Sequence, residues 1–303
     1  MTEYKNCFSD IEDMRKYVIE CEAHFEDQLD TAWKTVAEDE EISYVTLSGP
    51  TCAGKTTTAK KLISELSALG KNVHMVSFDD FFKEHSRLNT IVDSFGNERL
   101  DFDTVNAIDL ESLHDTLEHI FLHRDVEIPI YDFEEGRPNG KRPIDLSPGD
   151  IVIFEGIQAV YPEIARLFSE HKYKSIYISV NDEMNIGGQI FSGRDIRFIR
   201  RIVRDFKFRG ADPDFTYDMW PSVCDNEDKN MTPYCHNSDI LLNSVMAYEP
   251  GIIKNELLRV LSRVDKNGKY YSHAMSVAEC FNNITPIPFE MLPENSLYHE
   301  FLG

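Results

Sequence analysis

Four places in the chain hold residues whose types and spacing could do chemistry. Gly49, Pro50, Thr51, Cys52, Ala53, Gly54, Lys55 and Thr56 fit Gly-x-x-x-x-Gly-Lys-[Ser/Thr], with Thr57 directly after. That pattern is a phosphate-binding loop. Glycines at 49 and 54 let the backbone curl so that successive N–H groups face one anion. A helix starting near Lys55 adds its positive end. The Lys55 ammonium is expected to reach the outer phosphates of ATP, and the Thr56 hydroxyl to ligate Mg²⁺. Asp79 and Asp80 follow an apolar run. Asp79 is expected to orient or deprotonate a hydroxyl, and it also stands on the Mg²⁺ side; Asp80 reads rather as the cap of a short helix. Glu155 ends the run Ile151, Val152, Ile153, Phe154. An acid there can hold Mg²⁺ directly or through water. Finally, Arg197, Arg200, Arg201 and Arg204 fall within about a 100° arc of one helix face. Like charges so clustered destabilise a helix unless an anion lies close by. Arg200 and Arg204 are therefore expected to balance the charge that develops during phosphoryl transfer.

These groups need elements to hold them. Residues 42–47 read as a buried strand before the loop, and residues 55–69 as a helix after it, stopped by Gly70. Further strands are expected at 73–77, 151–154, 175–180 and 239–243. Carboxylates at the C-terminal ends of parallel strands face a ligand crevice. Residues 106–123, 251–264 and 272–281 carry helical patterns. Residues 127–133 read as extended, with Pro129 placing them at an edge. Residues 134–148 read as a loop rich in Gly and Pro. Residues 1–40 carry an apolar stripe from Ile11 to Val36, to be covered by the chain's own core or by a second copy, so a homo-oligomer is a possible partner arrangement. The expected fold is α/β: a P-loop NTPase with a mostly parallel sheet flanked by helices. The expected parts are an N-terminal helical arm (1–40), a kinase domain (41–303), an arginine-rich lid helix (about 190–215) and a C-terminal helical extension (about 246–303).

Bulk composition narrows the classes. The chain has 303 residues, 42% of them hydrophobic, which suits one sizeable core. A net charge of −22 argues against nucleic acid as a partner and requires a local positive cluster for an anionic ligand. The six cysteines show no Cys-x-x-Cys pair, consistent with reduced thiols and no structural metal. No signal peptide or membrane-length apolar run is visible, so a cytoplasmic protein without a membrane partner is expected.

The motifs together resemble a known family. Ser77-Phe-Asp-Asp-Phe-Phe, Leu100-Asp-Phe-Asp, Pro129-Ile-Tyr-Asp-Phe, Phe154-Glu-Gly and Arg197-Phe-Ile-Arg-Arg-Ile-Val-Arg-Asp occur in the order seen in uridine kinases and phosphoribulokinases. The likeness is greatest to bacterial uridine-kinase-like nucleoside kinases and covers about residues 40–303. It implies ATP and Mg²⁺ as cofactors and the 5′-hydroxyl of a nucleoside as acceptor. It further implies Asp79 as catalytic carboxylate, Thr56 and Glu155 on the metal side, and Asp103 on the ribose hydroxyls. Tyr131 would stack near the base, and Arg197 and Arg200 would reach acceptor and phosphates; plain core packing is the other reading of Tyr131. Two positions depart from the family. Gly136 stands where a base-reading histidine is expected, and Phe215 stands near the place of a base-reading glutamine. They leave a sugar, sugar phosphate or other small alcohol open as acceptor. A nucleotide switch without turnover is a third reading, weakened by the absence of Asn-Lys-x-Asp.

Overall fold

The computed structural model describes residues 1–303 apart from 93–95, 97 and 103. In chain order, β1 (Thr2–Glu3), α1 (Ile11–Ala37), β2 (Tyr44–Ser48), α2 (Lys55–Ala68) and β3 (Val73–Ser77) come first. A short hairpin of β4 (Thr90–Val92) and β5 (Glu98–Leu100) precedes α3 (Leu110–Phe121). Next are β6 (Val126–Asp132), β7 (Arg137–Ile144), β8 (Ile151–Glu155), α4 (Pro162–Ala165) and β9 (Tyr173–Ser179). The third part holds β10 (Met184–Ile186), β11 (Gln189–Phe191), α5 (Gly193–Phe208), α6 (Pro213–Asn230), β12 (Ile240–Asn243), α7 (Glu249–Leu261), α8 (Tyr271–Asn282) and α9 (His299–Leu302).

Five strands form one parallel sheet in the order β12-β9-β2-β8-β3. They are the five expected. The strands β2 and β8 are buried along their whole length, as central strands covered on both faces must be. Alternate side chains point to opposite faces. Val45, Leu47, Ile151 and Ile153 join one core with α1, α2, α5 and α7. Tyr44, Val152 and Phe154 join a second core with α3 and the β6–β7 hairpin.

Several elements differ from expectation. Residues 137–144, read as loop, form β7 and pair antiparallel with β6, with an irregularity between Pro129 and Tyr131. The exposed, polar pattern of β7 hid it: a ribbon outside the main sheet needs few apolar residues. The helix α6 lies where no element was expected; Pro213 sits at its start, where proline is tolerated, and Pro221 lies inside it. The stripe on residues 1–40 packs on the chain's own core through Val18, Phe25, Leu29, Ala32 and Val36. Gln28 in α1 exchanges two hydrogen bonds with the backbone of Asn243, which occupies one edge of the sheet.

Candidate active site

The phosphate loop lies between β2 and α2, at the C-terminal edge of the sheet. Its shape depends on three backbone positions. A β-carbon at Gly49 would lie 2.1 Å from the carbonyl oxygen of Ile178 on the neighbouring strand. Cys52 and Gly54 take left-handed conformations, with φ of 59° and 93°. No side chain caps α2, so its first N–H groups are left facing the loop's interior.

Two arginines of α5 hold this loop from behind. Arg197 makes a two-pronged ion pair with Glu227, both contacts 2.7 Å, and donates to the carbonyl of Thr51 at 3.2 Å. Arg200 is fully buried. It pairs with Glu249 at 2.7 and 2.8 Å and donates to the carbonyls of Cys52 and Ser244 and to the Tyr298 hydroxyl. The expectation that Arg200 meets phosphates is therefore corrected: it does not line the cavity, because Glu249 and the loop carbonyls already use its donors. Arg197 likewise sits behind the wall that Glu227 contributes.

In front of the loop is a cavity of about 940 Å³. Thr51, Cys52, Lys55 and Thr56 form one side of it, with Asp79 and Glu155 at its floor. Lys55 donates to the carbonyl of Pro50 at 3.2 Å. Burial pushes the Asp79 carboxyl above the usual range, against the opposing pull of Lys55 and of Gln158, whose amide donates to Asp79 at 3.4 Å. Burial likewise pushes Glu155 up to about 7, with Asp79 and Glu300 adding to it and Lys55 opposing. Raised carboxyls beside an ammonium mark a site built for charge that a ligand must supply.

Positive charge enters from Arg201, Arg204 and Arg209, which line the same cavity. All three share the single carboxylate of Asp205, at 3.2, 2.7 and 3.6 Å. Asp205, with Glu300 near Arg204, offsets only part of these three positive charges, which leaves this wall attractive to anions within a chain of net charge −22. The cavity also has an apolar part, where Phe82 packs on Phe102 and Phe133, and Met219 and Met231 line it as well.

Other expected site residues fall elsewhere. Tyr131 is buried; its hydroxyl donates to the Lys83 carbonyl and its ring packs against Phe82 and Phe133, which face the cavity in its place. Its stacking role is thus corrected to packing behind the wall. Asp103 lies outside the described residues. A side chain at Gly136 would meet the imidazole of His85 at 2.2 Å, so His85 already fills the space a histidine there would use. Phe215 is 58% exposed and does not line the cavity. Asp80 accepts from the Tyr131 N–H and faces Arg142. Three residues went unread in the sequence: Gln158, Arg209 and Glu300. Only Gln158, two positions beyond Glu155-Gly156, carried a signal of place.

The residues present suit the cofactors expected. The curled loop and the uncapped α2 match a run of phosphates. Among the described residues no group of three or more His, Cys, Asp or Glu could hold a metal by itself. Thr56 with Asp79 and Glu155 suits instead an ion that phosphates and water share, as Mg²⁺ prefers.

Known proteins similar to this chain include several kinases. A uridine kinase of Lactobacillus helveticus is 28% identical over 168 residues, covering 55% of this chain and 70% of that protein. A uridine kinase of Clostridium novyi is 29% identical over 177 residues, covering 58% and 74%. A solved structure described as a possible uridine kinase from Bacillus stearothermophilus superposes with a TM-score of 0.48 at 18% identity, covering 73% of this chain and all of that one. The profile of the Phosphoribulokinase / Uridine kinase family matches residues 44–249. With that match spanning two thirds of its length, the chain belongs to the phosphoribulokinase/uridine kinase family of small-molecule P-loop kinases.

Proposed function

We propose that the protein transfers the γ-phosphoryl group of MgATP to the 5′-hydroxyl of a nucleoside. The observation that carries this reading is one cavity lined by the phosphate loop, by Asp79 and by the aromatic cluster of Phe82, Phe102 and Phe133. Flat aromatic and thioether walls suit a planar base better than a bare sugar. The names of the curated relatives support the same acceptor class.

In the reaction, Asp79 accepts the proton of the acceptor hydroxyl as that oxygen bonds to phosphorus and the bond to the ADP oxygen breaks. Its raised proton affinity makes it a better base than an exposed aspartate. Gln158 holds the carboxylate in place. Lys55, Arg201 and Arg204 offset charge on the transferring group. Thr56 and Glu155 would hold Mg²⁺, which would supply further charge neutralisation. Arg197 and Arg200 keep the loop in shape. Most of the rate then comes from positioning and fixed charge.

The test is ADP release from MgATP, screened against nucleosides, sugars and sugar phosphates. Stimulation by nucleosides is expected. Arg99, which lines the cavity and donates to the Ser222 hydroxyl, favours a second reading in which the acceptor is a phosphorylated alcohol. Stimulation by sugar phosphates alone would replace the acceptor and leave the roles of Asp79 and the loop intact. Tight MgATP binding without stimulation by any acceptor would favour a nucleotide switch.

A further inference from the structure

Residues 296–302 lie beyond the stretch matched by the family profile, yet they reach the phosphate loop. Leu297 packs on the loop: a β-carbon at Gly54 would sit 3.8 Å from it. The Tyr298 hydroxyl accepts from Arg200, and Ser296 bonds with Tyr248. Lys207 of α5 donates to the Leu302 carbonyl. The segment is fixed on both sides, and what it presents to the cavity is Glu300.

Glu300 lies 3.4 Å from the hydroxyl of Thr57, in the first turn of α2. It lines the cavity with Arg204 and Phe208, near enough to Arg204 and Glu155 to act on their charge. An ionised carboxylate only accepts hydrogen bonds, so it has no attraction for a phosphate. Apart from a cation, what it faces in a bound donor must carry O–H or N–H groups. The part of a nucleotide next to its phosphates is the ribose. Thr57 stands one residue beyond Thr56 on the helix that receives those phosphates.

We propose that Glu300 is a specificity-determining residue for the phosphate donor, accepting hydrogen bonds from its ribose hydroxyls, with residues 296–302 forming that wall of the site. The inference rests on the reading of the loop as an ATP site. It deepens that reading by requiring a ribonucleotide donor.

The experiment is a cycle of two deletions on the full chain. ATP and 2′,3′-dideoxy-ATP are compared by kcat/KM and by calorimetric binding, with wild type, Glu300→Ala and Glu300→Gln. Wild type is expected to prefer ATP by about tenfold or more, the scale of a hydrogen bond to a charged group. Glu300→Ala should use both donors equally, and Glu300→Gln should keep part of the preference. A merely structural effect would weaken both donors alike and leave the ratio untouched, because the cycle isolates the pairwise contribution. Equal use of both donors by wild type, or a preference that survives intact in Glu300→Ala, overturns the proposal while leaving the ATP reading in force. Failure of wild type to bind MgATP at all overturns both.

Discussion

In the proposed reaction Asp79 and Glu155 do different work, and separate measurements distinguish them. Changing Asp79 to Asn keeps shape and removes the base. The expected result is a fall in kcat of about 10²–10⁴-fold with ATP binding retained. Equal losses in binding and turnover would instead place Asp79 on the nucleotide. For Glu155 the consequence is a pH dependence of the ligand-free protein. In the unfolded chain this carboxyl loses its proton near 4.5, and in the folded chain near 7. Between those values the folded state binds more protons, so stability falls as pH rises through that window. Replacing Glu155 with Gln should remove this loss, on the order of 2–3 kcal/mol. Urea unfolding of both proteins at about pH 5 and about pH 8 checks it, the difference being expected only at the higher pH. The loop residues and these two acids were legible in the sequence because each follows an apolar strand directly. The arginines misled: a helical wheel shows that Arg197, Arg200, Arg201 and Arg204 share a face, but not that Glu227 and Glu249 are waiting for two of them.

At the scale of elements, α1 and the segment after α8 support the same side of the sheet. Glu22 of α1 accepts from the Tyr248 hydroxyl at 2.5 Å, and Tyr248 in turn meets Ser296. Phe25 of α1 is almost wholly buried. Replacing it with Ala should cost about 3–5 kcal/mol through lost transfer energy and a residual cavity, read from equilibrium unfolding. A change in sedimentation without loss of stability would instead assign the stripe to a contact between copies. Strands were legible where they alternate around a buried sheet. The hairpin partner β7 was not, because its residues are exposed and polar. Nor was α6, whose two prolines look like terminators until one is seen at the helix start.

Across the whole molecule, residues far apart in the chain are tied by particular hydrogen bonds. The Tyr4 hydroxyl donates to the Thr285 carbonyl, and Asn6 bonds with residues 283 and 285. Arg200 joins the phosphate loop, α7 and Tyr298. Replacing Tyr298 with Phe removes one acceptor from a fully buried guanidinium. A loss of about 1–3 kcal/mol is expected, together with a higher KM for ATP and an unchanged KM for the acceptor. An unchanged KM for ATP would mean that the loop holds its shape without the tail. The fold class was legible from the order of strands and motifs. These closures were not, since nothing in local pattern announces which residues of widely separated stretches will touch.

The Arg200 hub also sets an order of events on the ribosome. Residues 49–57 are made early. The groups that shape them arrive later and in sequence: Arg197 and Arg200, then Glu227, then Glu249, then Tyr298. Contacts between such distant residues form only after both partners have emerged and a long stretch has closed. A nascent chain therefore carries its phosphate-binding sequence well before it owns a phosphate-binding shape, and cellular nucleotide can reward folding fully only once Tyr298 has emerged to join Arg200.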